Sequence, residues 1–291
     1  MQHLINTSDL SDGQISAILS DAKRFKAQKP IALLRDKLLI TLFFENSTRT
    51  RSSFEVAAKR LGAAVVHLDP SKSSTKKGET TEDTFTNLCA MEPDGVIIRH
   101  QENDTPRQLA NMDMTSVISA GAGNSAHPTQ ALLDLFTMQE HFGEVKGKTI
   151  VIVGDIVSSR VASSGIKLFR RMGMNVILVA PYSFMPESDL PQYERLEEVL
   201  NQADVVMSLR AQLERHKTPI FDDYDAYAEH YCLTPERLGN REILILHPGP
   251  VMRNIDISDI ILDDPRCKVL EQVKNGVFVR MAILKLLLLD T

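Results

Sequence analysis

Leu38-Leu39-Ile40-Thr41-Leu42-Phe43-Phe44-Glu45-Asn46-Ser47-Thr48-Arg49-Thr50-Arg51 opens as an apolar run and closes as a cluster of hydroxyls and guanidiniums. The first part has the length and character of a buried strand, expected over 38–44. Beyond it Phe54, Ala57, Ala58 and Leu61 recur at helical spacing, and Gly62 stands where a C-terminal cap belongs, which predicts a helix over 48–61. Ser47, Thr48, Arg49 and Thr50 then occupy the turn between strand and helix. Helix N-termini present backbone N–H groups that have no partner within the helix, and the helix dipole favours negative charge there. A serine, two threonines and an arginine add hydroxyl donors and a planar, always-charged fork that matches phosphate oxygens. The stretch reads as a phosphate cradle. Taken alone, Ser47 as a plain helix cap beside solvated Arg49 and Arg51 reads at least as well.

Outward from this stretch the same alternation repeats. Upstream, Ser8-Asp9-Leu10-Ser11 ahead of Ile15, Ile18, Leu19 and Ala22 predicts a capped amphipathic helix. Downstream, strands are expected at 63–68, 95–99 and 116–119, with helices at about 81–91 and 105–111. Residues 69–79 form a polar loop with no apolar period, a kind of segment that often carries function. Ala120-Gly121-Ala122-Gly123-Asn124 reads as a glycine-bearing loop, and His127-Pro128-Thr129-Gln130 opens a long helix through Phe142. After a break near 143–148, strands are expected at 149–154, 175–180, 204–209 and 242–247. Helices are expected at 159–172, 192–202 and about 270–289, with a charge-rich helical stretch over about 222–238. Repeated strand–helix units with apolar strands signal parallel sheets covered on both faces. The expected fold is α/β: two doubly wound parallel-sheet domains, 1–143 and 144–269, joined by the helix that starts at His127. The last helix, 270–291, is expected to pack back on the first domain.

A chain of 291 residues is long for one core and comfortable for two domains. The balance of 33 basic against 38 acidic residues argues against a general nucleic-acid surface, while local basic patches for small anions stay open. Cys89, Cys232 and Cys267 are scattered and form no C-x-x-C, so neither a disulfide framework nor a zinc site is suggested. The most apolar window, Ile283 to Leu289, is shorter than the ~20 residues that span a bilayer. No basic-then-apolar leader opens the sequence, so a cytoplasmic protein without membrane or nucleic-acid partners is expected.

In open parallel sheets, ligands bind beyond the carboxyl ends of the strands, and polar candidates gather at those ends here. Arg99 closes one strand and is as readily a surface terminator as a ligand. His127 precedes Pro128, which suits the first helical position, and reads first as a cap; a helix N-terminus can also hold an imidazole neutral, able to donate to a carbonyl oxygen. Gly154-Asp155 follows an apolar strand, but the dinucleotide fingerprint G-x-G-x-x-G is not met. Arg210 and Gln212, two residues apart, can face one ligand from an extended loop, as a fork for a carboxylate and an amide beside it. The plain alternative is a charged helix start. His247-Pro248-Gly249-Pro250 makes a stiff turn with outward carbonyls. Six such strand ends facing one cleft would make a site.

Together these motifs resemble the aspartate and ornithine carbamoyltransferase family, in family order from residue 43 to residue 280. Phe43-x-Glu45-x-Ser47-Thr48-Arg49-Thr50 resembles its carbamoyl-phosphate signature, and His127-Pro128-Thr129-Gln130 resembles the segment that contacts the carbamoyl group. The resemblance implies transfer of a carbamoyl group from carbamoyl phosphate to L-aspartate in de novo pyrimidine biosynthesis, with no metal or cofactor. It implies that Arg49, Thr50, Lys77, Arg99 and His127 serve catalysis. Ser47, Thr48, Ser73 and Gln130, with the backbone of Pro248 and Gly249, would complete the carbamoyl-phosphate site. Lys77, Arg160, Arg210 and Gln212, with Gly249 and Pro250, would hold aspartate. Ser73 and Lys77 lie in a loop that, by this resemblance, reaches into a neighbouring subunit's site, so a homotrimer with shared sites is implied, open to higher assembly with a regulatory chain or a dihydroorotase.

Two features favour the aspartate branch. Ornithine enzymes lack the serine–lysine loop and carry His-Cys-Leu-Pro where His247-Pro248-Gly249-Pro250 stands. Some positions depart from the family pattern. Ala122 and Ala126 replace an aspartate and a glutamine of the glycine loop, and Val157-Ser158 replaces a basic or aromatic pair. These departures bear on loop order and turnover. Another amine acceptor is opposed by intact Arg160, Arg210 and Gln212, and a catalytically silent assembly subunit by the presence of Arg49, Lys77 and His127.

Overall fold

In the computed structural model, which describes residues 2–28, 32–70, 78–215 and 221–289, strands and helices alternate from end to end. Two units separate: Met1–Phe136 with Val273–Thr291, and Thr137–Gln272.

The first unit begins with α1 (Asp12–Ala27), whose N-cap Ser11 and Gln14 exchange hydrogen bonds in a capping box. There follow β1 (Leu38–Phe43), α2 (Thr48–Arg60), β2 (Ala64–Leu68), α3 (Thr81–Cys89), β3 (Gly95–His100), α4 (Thr105–Asn111) and β4 (Ser116–Ala122). All pair in parallel, in the order β2-β1-β3-β4. A parallel sheet covered on both faces has near-continuous apolar strands, and Ile40, Leu42, Val96, Ile98 and Val117 pack with Phe85 and Leu109 in one core. The edge strand β2 is the exception, with Val66 half-exposed. Helix α2 stops at Gly62, where φ is +87° and the N–H groups of Gly62 and Ala63 bond back to Lys59 and Ala58. A Cβ there would also lie 2.7 Å from Ala32 Cβ.

Strand β4 runs three residues beyond the expected end at Ser119, because Ala120-Gly121-Ala122 is small, wholly buried and still paired, His100 opposite Ala122. The turn comes later, at Gly123, and leads into α5 (Pro128–Phe142).

The second unit holds β5 (Thr149–Val153), α6 (Arg160–Arg171), β6 (Asn175–Val179), β7 (Gln192–Tyr193), β8 (Val205–Ser208), α7 (Tyr224–Tyr231), α8 (Pro235–Leu238), β9 (Leu244–Leu246) and α9 (Asp259–Leu262). Its parallel sheet has the order β7-β6-β5-β8-β9. The chain closes with α10 (Val269–Leu289), most of which belongs to the first unit. Among the described residues no helix is long and apolar enough to cross a membrane.

Two expected helices differ. The helix over 192–202 is instead β7 followed by two 3-10 turns, Leu196–Glu198 and Leu200–Gln202. The N–H groups of Leu178 and Ala180 bond to the carbonyls of Pro191 and Tyr193, so the edge of the sheet captures the start of the segment. What remains still buries Leu196, Val199 and Leu200, a spacing that both helix types share. The stretch 222–238 is two helices, broken where Leu233 exchanges backbone bonds with Asp256 and Ser258 and where Thr234 caps α8 ahead of Pro235.

Candidate active site

In the first unit the sheet order sets the carboxyl ends of β1, β3 and β4 side by side; Arg99 is the penultimate residue of β3, and the chain beyond β1 and β4 carries Ser47–Thr50 and His127. Ser47 stands at the N-cap position of α2, yet its side chain makes no capping bond. Its hydroxyl accepts from Arg99 Nη1 at 3.2 Å instead. Arg99 Nε donates to Glu45 Oε2 at 3.1 Å, so Glu45 aims the guanidinium across the start of the helix. No acidic residue occupies the first turn of α2 to neutralise its dipole. Thr48 and Arg49 face solvent while Thr50 is buried. Hydroxyls, a guanidinium and helix-end amides thus converge on one small region suited to an anion.

His127 is buried just ahead of Pro128, and its carbonyl accepts the Ala131 N–H, the first bond of α5. One turn on, Gln130 Nε2 donates to Asp134 Oδ1 at 2.9 Å, which leaves its amide oxygen available as an acceptor. The departures at Ala122 and Ala126 pair with each other: the N–H of each bonds to the carbonyl of the other, at 2.9 and 3.3 Å. That bridge closes the turn before His127, aided by Ser125 Oγ, which donates to the Ala122 carbonyl at 3.4 Å, and by Asn103 Oδ1, which accepts the Asn124 N–H at 3.1 Å. Gly123 sits inside it at φ +44°, where a Cβ would come within 2.0 Å of Asn103 Oδ1.

Three groups that support this site escaped the sequence reading. Arg280 of α10 is 3% exposed and donates from Nη1 to Ser53 Oγ (2.9 Å) on α2 and from Nη2 to Thr129 Oγ1 (3.2 Å) on α5. Burial pushes its pKa down to about 10, against the opposing pull of Asp134. Asp134 is itself fully buried, and Glu45 was visible only as a letter of the signature. The available signal was a lone charge within an apolar helix run, in Leu132-Leu133-Asp134-Leu135 and Val279-Arg280-Met281.

In the second unit β5, β8 and β9 are neighbours, and their carboxyl ends lead to Arg160, to Arg210 and Gln212, and to His247–Pro250. Arg160 is the first residue of α6, whose N-cap Ser159 accepts from the Ala162 N–H at 3.2 Å. Gln212 Nε2 donates to the Ser158 carbonyl at 3.4 Å, which draws the loop after β8 to the loop before Arg160. Arg210 Nη2 lies 2.7 Å from Glu214 Oε1, and the Tyr224 hydroxyl donates to the other oxygen of Glu214 at 2.8 Å. His247 and Asp256 are buried together, Nε2 to Oδ2 at 3.1 Å. Ser73 and Lys77 lie outside the described residues.

Two parallel sheets, each with cations and amides beyond adjacent strand ends, define an α/β protein built for small anionic ligands. Comparison with known proteins agrees. The carbamoyl-P binding domain of aspartate/ornithine carbamoyltransferases matches residues 2–140, and the Asp/Orn binding domain of the same enzymes matches residues 146–287. The chain belongs to the aspartate/ornithine carbamoyltransferase family. It is 78% identical to an aspartate carbamoyltransferase catalytic subunit of Sulfurovum sp. over 292 residues, covering 100% of this chain and 99% of that one. The corresponding subunit of Sulfurimonas denitrificans is 56% identical, covering 100% of both chains. Among solved structures, the catalytic subunit of M. jannaschii aspartate transcarbamoylase aligns with TM-score 0.89 at 32% identity, covering 100% of this chain and 99% of that one. Aspartate transcarbamoylase from Trypanosoma cruzi, in complex with carbamoyl phosphate and aspartate, aligns with TM-score 0.86 at 30% identity, covering 97% and 95%.

Proposed function

We propose that this protein transfers the carbamoyl group of carbamoyl phosphate to L-aspartate, giving N-carbamoyl-L-aspartate and phosphate. The observation that carries the reading is that Ser47, placed to cap α2, turns its hydroxyl to Arg99 and leaves the helix start to an anion. Ser47, Thr48, Arg49 and Thr50 cradle the phosphate, joined by Ser73. Thr50, Arg99 and His127 donate to the carbamoyl oxygen. Gln130, held through its amide nitrogen by Asp134, accepts from the carbamoyl nitrogen, as do the carbonyls of Pro248 and Gly249. Arg160 takes the α-carboxylate of aspartate, and Arg210, Gln212 and Lys77 take the rest, with Gly249 and Pro250 at its amine.

The aspartate nitrogen attacks the carbamoyl carbon, and charge collects on the carbonyl oxygen. The carbon–oxygen bond to phosphate then breaks, and phosphate leaves with the electron pair and the amine proton. Each preorganised donor to such an oxyanion is worth roughly 2.7–4 kcal/mol in well-studied enzymes. Holding the reactants at near-attack distance supplies much of the remaining acceleration. In this reading the active unit is a homotrimer, Ser73 and Lys77 enter from the neighbouring copy, and the enzyme serves pyrimidine biosynthesis in the cytoplasm.

Arg49→Ala tests the cradle. The variant should keep its circular dichroism spectrum and lose phosphate release by about a hundredfold or more, the scale of a lost transition-state donor. Near-normal turnover would overturn the assignment.

A further inference from the structure

We infer that Asp256 is a positioning residue that locks two ligand-binding loops of the second unit to one another. The inference rests on reading those loops as the L-aspartate site. Asp256 lies beyond β9, six residues past the His247-Pro248-Gly249-Pro250 turn and outside that motif, and both it and His247 have side chains with 0% exposure. Its Oδ1 accepts the Ala211 N–H at 3.0 Å. Its Oδ2 accepts the Met252 N–H at 2.8 Å and faces His247 Nε2 at 3.1 Å. His247 Nδ1 accepts the Gly249 N–H at 2.8 Å, so the ring proton must sit on Nε2 and point at the carboxylate. The Asp256 carbonyl meanwhile accepts from Ser208 Oγ, at 3.3 Å, on β8.

One carboxylate therefore ties the loop after β8 to the turn after β9. Ala211 is the residue between Arg210 and Gln212, and it is buried while its two neighbours are half-exposed. Side chains alternate along extended chain, so pinning the inward Ala211 N–H fixes the direction in which Arg210 and Gln212 both emerge. On the other side, His247 relays the same anchor to Gly249, whose carbonyl neighbours the incoming amine in the proposed site. A buried carboxylate with three donors is satisfied; an asparagine there would turn its NH2 toward at least one N–H and lose that bond.

The test is Asp256→Asn, with His247→Gln as a second variant. The glutamine keeps a donor for Asp256 but withdraws the acceptor from Gly249. Both should raise the KM for L-aspartate, by about tenfold or more in D256N, the scale of one buried hydrogen bond lost. The Kd for inorganic phosphate, a probe of the cradle in the other unit, should stay within about twofold, since no bond to that unit is altered. An unchanged KM in either folded variant would overturn the inference, and so would a phosphate Kd that rises in step with KM. Hydrogen exchange supplies a substrate-independent arm: the Ala211 and Gly249 amides should exchange faster in the variants. If the wild type itself shows no aspartate-dependent turnover, the functional reading fails, and this exchange result alone decides whether Asp256 locks the loops.

Discussion

Arg280 carries a full charge into a helix whose neighbours Val279, Met281, Ala282 and Ile283 are all buried. Its guanidinium carbon lies 5.1 Å from the centre of the Phe54 ring, and its two terminal nitrogens bond to Ser53 and Thr129. These are residues just inside α2 and α5, the helices whose first turns bear Ser47–Thr50 and His127. Removing the cation leaves Asp134 buried beside a cavity, so Arg280→Ala should lower unfolding stability by about 3 kcal/mol. Urea titration checks this, and a loss below ~0.5 kcal/mol would contradict the role. At this scale the sequence was legible where chemistry is local. Arg49, Thr50 and His127 can be put forward as site residues from their neighbours in the chain. Arg280 and Asp134 do not, because their partners are set by which helices pack together, and nothing in a run of apolar residues names the helix opposite.

At the scale of elements, the same hydroxyl can end a helix or serve a ligand. Ser159 does the first, accepting from the Ala162 N–H, whereas Ser47 occupies the equivalent position on α2 and gives its oxygen to Arg99. Ser159→Ala should therefore cost about 1 kcal/mol of stability, the usual worth of a cap, while Ser47→Ala should cost well under that and weaken phosphate binding. Thermal melts and phosphate titration of both variants separate the roles; equal destabilisation would return Ser47 to plain capping. Strand and helix types in both sheets followed from apolar runs and spacing. The segment 192–202 did not, because Leu196, Val199 and Leu200 bury themselves at a spacing common to α and 3-10 turns, and pairing with β6 is a non-local event. The end of β4 was misplaced for a related reason: small residues that suit a loop also suit a strand with no room beside it.

At the scale of the whole molecule, the repetition of strand–helix units was enough to read two parallel α/β sheets, and the strand orders then bring three strand ends that carry candidate residues together in each. The order itself was not legible, since it depends on which strand crosses over which. The assembly belongs to this scale too. If Lys77 acts in a neighbour's site, mixing equal amounts of inactive Lys77→Ala and His127→Ala chains should restore activity: about three-quarters of randomly assembled trimers are hybrids, each with one site free of both substitutions, so overall activity should be near a quarter of wild type by binomial counting. Persistent inactivity after verified subunit exchange would place each site within one copy.

The reaction itself is tested by phosphate release from carbamoyl phosphate by the purified protein, with L-aspartate and L-ornithine supplied in parallel. Release with L-aspartate alone is the predicted result, because Arg210 and Gln212 are read as a site for a second carboxylate, and the His247-Pro248-Gly249-Pro250 turn stands where ornithine enzymes carry His-Cys-Leu-Pro. Release with L-ornithine, or with neither amine, would contradict it.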